Sequence, residues 1–179
     1  ICSRIIVVGG YRIERVREIL SGYSKVDVVE NTNWQSGMFS SVKLGVKHMK
    51  AERFFLLPAD VPLVPEIVYR RMLSVQAEIV IPMFGDRKGH PVLFRNAVAK
   101  DILNEHDGSS LRKLIGRKGC KTLLVEHEEV MLDVDMIADY LAMCYRFNSP
   151  TLSGAKGLTL SNCNEVLPKG MPSALASVK

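Results

Sequence analysis

Phe54-Phe55-Leu56-Leu57-Pro58-Ala59-Asp60-Val61-Pro62-Leu63 is the stretch that decides how this chain is read. A hydrophobic run, Phe54 to Leu57, stops at a proline. A single carboxylate sits just past its end, and a second proline follows two residues later. A short apolar run cut off in this way reads as a buried strand entering a turn. In open α/β sheets, ligands bind in the crevice outside the carboxyl ends of the strands. An acidic residue held there by prolines suits a divalent cation used in phosphate chemistry. Proline and aspartate are also ordinary turn residues, so a solvated turn would look the same from this stretch alone.

The flanking sequence alternates strands with helices. Ile5-Ile6-Val7-Val8 is a β-branched run ending at Gly9-Gly10, a strand and a turn. Ile13, Val16, Ile19 and Leu20 recur at helical spacing, and Gly22 closes that helix. Val26 to Val29 is the next strand, and Ser40 or Ser41 can cap a helix carrying Val42, Val46 and Met49. Pro65 suits the first turn of the helix that follows the Phe54 strand. Ile79 to Ile81 and Pro91 to Phe94 read as strands joined by the turn-rich Gly85-Asp86-Arg87-Lys88-Gly89.

Asn96 can cap a helix to about Asn104, and Ser109 or Ser110 starts one carrying Leu111, Leu114 and Ile115. Thr122 to Val125 and Val130 to Leu132 are expected strands, and Met136 to Tyr145 a closing helix. This alternation implies right-handed crossovers and a three-layer α/β fold, a mostly parallel sheet with helices on both faces. From about Phe147 the pattern breaks into a stretch rich in Ser, Gly, Pro and Asn. Residues 1–146 are therefore expected to form the domain, and 147–179 a tail, a linker or the start of a further domain.

Composition narrows the class. With 179 residues the chain makes one domain large enough for a core. No apolar run approaches the roughly 18 residues of a membrane span, and the first residues lack the order of a signal peptide. Cys2, Cys120, Cys144 and Cys163 include no C-x-x-C pair, and read as reduced thiols of a cytoplasmic protein. A net charge of +5 suits anionic ligands. The densest basic stretch, Arg112, Lys113, Arg117, Lys118 and Lys121, lacks the interleaved aromatics of a nucleic-acid platform and reads as a solvated helix face.

Three further segments carry chemistry. Asn33-Trp34-Gln35-Ser36-Gly37-Met38-Phe39-Ser40-Ser41 is a strand-to-helix loop whose glycine permits close backbone approach. Its hydroxyls and helix-start amides can hold an anion or a ribose, or simply cap the helix. Gly85-Asp86-Arg87-Lys88-Gly89-His90-Pro91 sets two basic side chains and a histidine on a glycine-bounded loop entering a strand, as a surface hairpin also would. In Val130-Met131-Leu132-Asp133-Val134-Asp135, alternating acids at a strand end would point one carboxylate inward and its neighbour outward. Were that end beside the Asp60 strand, two aspartates from distant parts of the chain would share one Mg²⁺, which favours one or two carboxylates with water and substrate phosphates.

In this order, P-A-D-x-P, the G-M-x-S-S loop, G-x-x-x-G-H-P, D-G-x-S-L-R-x-L-I and D-x-D before the last helix resemble the molybdenum-cofactor cytidylyltransferase group. That group lies within the wider molybdopterin-nucleotidyltransferase-like superfamily, and the resemblance runs from about Ile5 to Tyr145. It implies a Rossmann-like nucleotidyltransferase domain of the GT-A-like type. It also implies a reaction in which the terminal phosphate of molybdopterin attacks the α-phosphate of CTP and releases pyrophosphate, with Mg²⁺ as cofactor. By the same resemblance Asp60 and Asp135 are the catalytic, metal-holding aspartates, and Asp133 supports the second. Gly37, Met38, Ser40 and Ser41, with Pro58 and Ala59, match the nucleotide side; Gly89, His90 and Pro91 match the acceptor side. Implied partners are CTP, a phosphorylated cofactor precursor and a molybdoenzyme that receives the product.

The resemblance has two departures. Family members begin with a strand and a glycine-rich loop of the kind L-A-A-G-x-S-x-R-M-G, followed by a lysine, that grips the triphosphate. Ile5 to Gly10 instead matches the family's second strand. The expectation is thus a domain lacking its first strand and that loop, and inactive as it stands for want of them. The family's D-x-D-T-P-E-D also reads Asp133-Val134-Asp135-Met136-Ile137-Ala138-Asp139 here. Other readings are a guanylyltransferase or sugar-phosphate nucleotidyltransferase of the same fold, and a non-catalytic module that holds or delivers a cofactor.

Overall fold

A computed structural model describes residues 1–148 of the chain. One compact unit spans Ile1–Leu132. It opens with β1 (Ile5–Gly9), α1 (Ile13–Leu20) and β2 (Val26–Glu30), where the hydrophobic runs lie in the sequence. β1 and β2 pair in parallel, from Ile5 opposite Val26 to Gly9 opposite Glu30. Asn31 extends the ladder by donating its N–H to the Gly9 carbonyl at 2.7 Å.

The second sheet holds β3 (Arg53–Leu56), β4 (Ile79–Phe84), β5 (Arg87–Lys88), β6 (Val92–Arg95) and β7 (Lys121–Leu124). β6 lies between β3 and β4 and runs antiparallel to both, β5 folds back on β4, and β7 is parallel to β4. Across both sheets the parallel pairings span the greater number of paired positions. In the second sheet, strand side chains alternate between faces. Ile79, Ile81, Val92 and Phe94 point to one cluster, with residues of α2 (Met38–Lys47), α4 (Ala97–Asn104) and α5 (Leu111–Lys118). Val80 and Leu93 point the other way, onto Val68 and Met72 of α3 (Glu66–Ser74), Val125 and Val130. A sheet covered on both faces gives near-continuous hydrophobic strands, as the Ile79 run is. The three-layer α/β fold is thus present.

Local chemistry departs from expectation at several points. α2 begins at Met38 behind Gly37, so Ser40 and Ser41 lie inside the first turn and neither caps it. Pro65 stands at the N-cap of α3, one residue before its first turn. Asn96 precedes α4 with helical backbone angles and makes no side-chain cap bond. Ser110 does cap α5, accepting from the Lys113 N–H. The D-G-x-S-L-R segment is fastened into the fold. Lys43 of α2 donates to Asp107 at 2.9 Å, and Arg117 of α5 to Glu105 at 2.7 Å. Arg117, together with the Ser109 hydroxyl, holds the Glu105 carboxyl below its usual range.

Val130 to Leu132 does not form a strand. Glu128–Met131 is a 3-10 turn, and Val130 is buried in it. A three-residue apolar run cannot distinguish a strand from any other buried segment. Here burial comes from contact with the sheet rather than from pairing within it.

A second compact unit begins at Asp133. Its helix, α6 (Ile137–Asn148), starts one residue later and ends three residues later than expected. Asp139 reaches back so that its carboxylate accepts the N–H of Met136 at 2.8 Å and of Asp135 at 3.2 Å. An acidic group there satisfies orphan donors and suits the helix dipole. The expected tail from Phe147 overlaps the last two residues of α6, and the rest of it, 149–179, lies outside the described residues, as does Cys163. Cys2, Cys120 and Cys144 are free thiols. No helix among the described residues is long and apolar enough to cross a membrane.

Candidate active site

The register of β3 with β6 brings two of the predicted segments together. Leu56 pairs with Val92, so the residues leaving β3 run beside those entering β6. Pro58, Ala59 and Asp60 therefore share one sheet edge with Gly89, His90 and Pro91. β3 and β4 are both antiparallel to β6, and β7 is parallel to β4, so the carboxyl ends of β3, β4 and β7 lie along this edge. This is where α/β sheets hold their ligands.

The Asp60 turn is built from its prolines inward. Pro58 ends the strand run, and its carbonyl accepts the Val61 N–H at 3.2 Å. Val61 is buried and anchors the turn, which leaves Ala59 exposed and Asp60 half-buried. The Asp60 carboxylate makes no hydrogen bond or ion pair with any described residue. Partly desolvated carboxylates ordinarily acquire such partners. One that has none among the described residues leaves its oxygens open to a ligand such as a divalent cation.

The acceptor-side segment is shaped by a close approach. A Cβ on Gly89 would stand 2.4 Å from the Val130 carbonyl oxygen, and the same carbonyl accepts the His90 N–H at 2.7 Å. The His90–Pro91 peptide bond is cis. Gly89 and Pro91 are buried, so of the three only His90 keeps any notable exposure. Gly89→Ala is expected to destabilise the domain by about 1–3 kcal/mol, because the backbone oxygen it meets cannot rotate away. Equilibrium denaturation checks this; an unchanged midpoint would mean that the segment does not seat on Val130.

The nucleotide-side loop leaves β2 in the first sheet. A 3-10 turn at Trp34–Ser36 leads to Gly37, whose φ of 97° belongs to glycine and turns the chain into α2. Met38 is exposed, while Ser40 and Ser41 are half-buried. Both hydroxyls accept from the Asn31 side chain, at 2.8 and 2.9 Å. Asn31 went unnoticed in the sequence, although a polar residue ending an apolar strand beside a chemical loop was the available signal. Val130, as the seat of Gly89, was legible only as a hydrophobic position.

Asp133 and Asp135 belong to the second unit, in coil before α6. With no strand there, the inward and outward alternation fails, and both residues are exposed. The Asp135 carboxylate has no partner among the described residues. Among those residues, no group of three or more His, Cys, Asp or Glu side chains gathers as a ready-made metal cage.

Comparison with known proteins gives concordant results. The family model described as the MobA-like NTP transferase domain matches residues 1–129. Over 147 residues the chain is 25% identical to the molybdenum cofactor cytidylyltransferase of Escherichia coli strain K12, spanning 82% of this chain and 77% of that protein. Among solved structures, the manganese complex of Rv0371c from Mycobacterium tuberculosis H37Rv is similar with a TM-score of 0.64 and 26% identity. That match covers 78% of this chain and 77% of that one. A nucleotidyl transferase from Methanothermobacter thermautotroptrophicus shares the fold, with a TM-score of 0.67 at 22% identity over 80% of this chain and 73% of that one.

Proposed function

This chain belongs to the MobA-like NTP transferase domain family and is a nucleotidyltransferase; from that premise we propose that it transfers CMP from CTP to the terminal phosphate of molybdopterin, releasing pyrophosphate. The observation that carries the proposal is the half-buried Asp60 carboxylate at the carboxyl end of β3, without a partner among the described residues. The similarity to the Escherichia coli cytidylyltransferase supports the choice of nucleotide and acceptor.

Asp60 would hold Mg²⁺, and Asp135 is the second carboxylate of the proposal. When bound, the cation supplies charge neutralisation on the triphosphate and favours in-line displacement. The manganese complex of Rv0371c supports a divalent cation of this hardness. Gly37, Met38, Ser40 and Ser41, with Pro58 and Ala59, position the nucleotide through backbone approach and hydroxyl hydrogen bonds. Gly89 and Pro91 hold the backbone on which His90 meets the acceptor. The reaction proceeds by positioning and electrostatics, with no covalent bond to the enzyme. A molybdoenzyme would receive the product, in the cytoplasm.

Pyrophosphate release from CTP and from GTP, each with and without molybdopterin and with Mg²⁺ present, tests this. Acceptor-dependent release that favours CTP is expected. Release that favours GTP would make the chain a guanylyltransferase of the same fold, and release from CTP that does not depend on molybdopterin would reject that acceptor.

A further inference from the structure

The polar cluster between β2 and α2 allows a complete accounting of donors and acceptors. Asn31 is 4% exposed, at the end of β2. Its side-chain oxygen accepts the Asn33 backbone N–H at 3.0 Å, which sets the amide's orientation, since the flipped form would oppose two donors. Its amide nitrogen then donates to both serines, to Ser40 Oγ at 2.8 Å and Ser41 Oγ at 2.9 Å. Ser40 spends its own proton on the Gly37 carbonyl at 2.8 Å and the Asn33 carbonyl at 3.2 Å. Ser41 accepts from Asn31, and its proton has no acceptor among the described residues.

We infer that Asn31 is a positioning residue for the nucleotide. By occupying a lone pair of Ser41, it leaves that hydroxyl's single proton to donate to a phosphate or ribose oxygen. This deepens the reading of Gly37 to Ser41 as the nucleotide loop and rests on it. A hydroxyl held by one donor has its proton directed away from that donor, so it need not reorient when the ligand arrives.

The test compares Ser41→Ala, Asn31→Asp and the double variant in the full chain, with Kd for CTP in the presence of Mg²⁺ measured by calorimetry. Aspartate keeps the acceptor for Asn33 but can only accept from Ser41, and so consumes the proton. Each single variant is expected to weaken binding about tenfold, and the double variant no more than the weaker single, because both remove one donor. If Asn31→Asp does not fold, Asn31→Ala with and without Ser41→Ala replaces it, because it removes the donor that orients the hydroxyl and its penalty should likewise vanish once Ser41 is gone. Penalties that multiply to about a hundredfold, as a general structural role of Asn31 would produce, overturn the inference. So does binding that either single variant leaves unchanged. Absence of CTP binding by the unmodified chain would instead overturn the cytidylyltransferase reading on which the inference rests.

Discussion

Replacing Asp60 by alanine is expected to lower pyrophosphate release by about 10²–10³-fold or more, the usual cost of deleting one preorganised electrostatic element at a transition state. The fold should be nearly indifferent. Asp60 makes no hydrogen bond or ion pair with any described residue, and the turn is held by the Pro58 carbonyl and buried Val61. Substitutions away from stabilising contacts shift stability by only about ±0.5 kcal/mol. Asp60→Asn separates charge from shape: it keeps the size of the side chain and removes the charge, so it should be as impaired as alanine. Thermal melting beside the rate assay completes the measurement. Unchanged turnover in either variant would remove Asp60 from the chemistry.

Phe94→Ala should be the most destabilising single truncation in the second sheet. Phe94 is fully buried at 0% exposure, in β6 between β3 and β4. Its ring stacks on Phe54, its register partner, with centroids 5.4 Å apart, and it is also paired with Ile79 across β4. Removing it loses the transfer energy of the ring and leaves a cavity whose walls come from three strands and the helices over them. Such truncations cost about 3–5 kcal/mol, a large part of the roughly 5–15 kcal/mol that holds a domain together. Chemical denaturation should show a lower midpoint with an unchanged slope. A loss below about 1 kcal/mol would mean that β6 is not central to the sheet.

The layers of this fold were legible because period-2 and period-3.6 patterns are local. The runs at Ile5, Val26, Phe54 and Ile79 all became strands, and the Ile13 and Ser110 helix starts held to within a residue or two. What was not legible depends on partners distant in the chain. Nothing near Val92 reveals that it inserts antiparallel beside Leu56. Val130 is apolar for the same reason a strand residue would be, yet its role is to receive Gly89. In the site, Asp60 stood out because prolines bracket it. Asp133 and Asp135 stood out through an alternation that required a strand, and the chain makes none there. Asn31 stayed hidden because a single asparagine carries no period; its meaning lies in the two hydroxyls it holds.

The insertion of β6 also has a bearing on synthesis. β3 has its partner about 40 residues downstream, Arg53 opposite Arg95. At translation speeds of about 5–20 residues/s, some 2–8 s pass before that partner emerges from the ribosome. During that interval Phe54, Phe55 and Leu56 form a sticky, unsatisfied ribbon flanked by the charge of Arg53 and the ring of Pro58, the kind of gatekeeping that keeps nascent strands from joining the wrong neighbour.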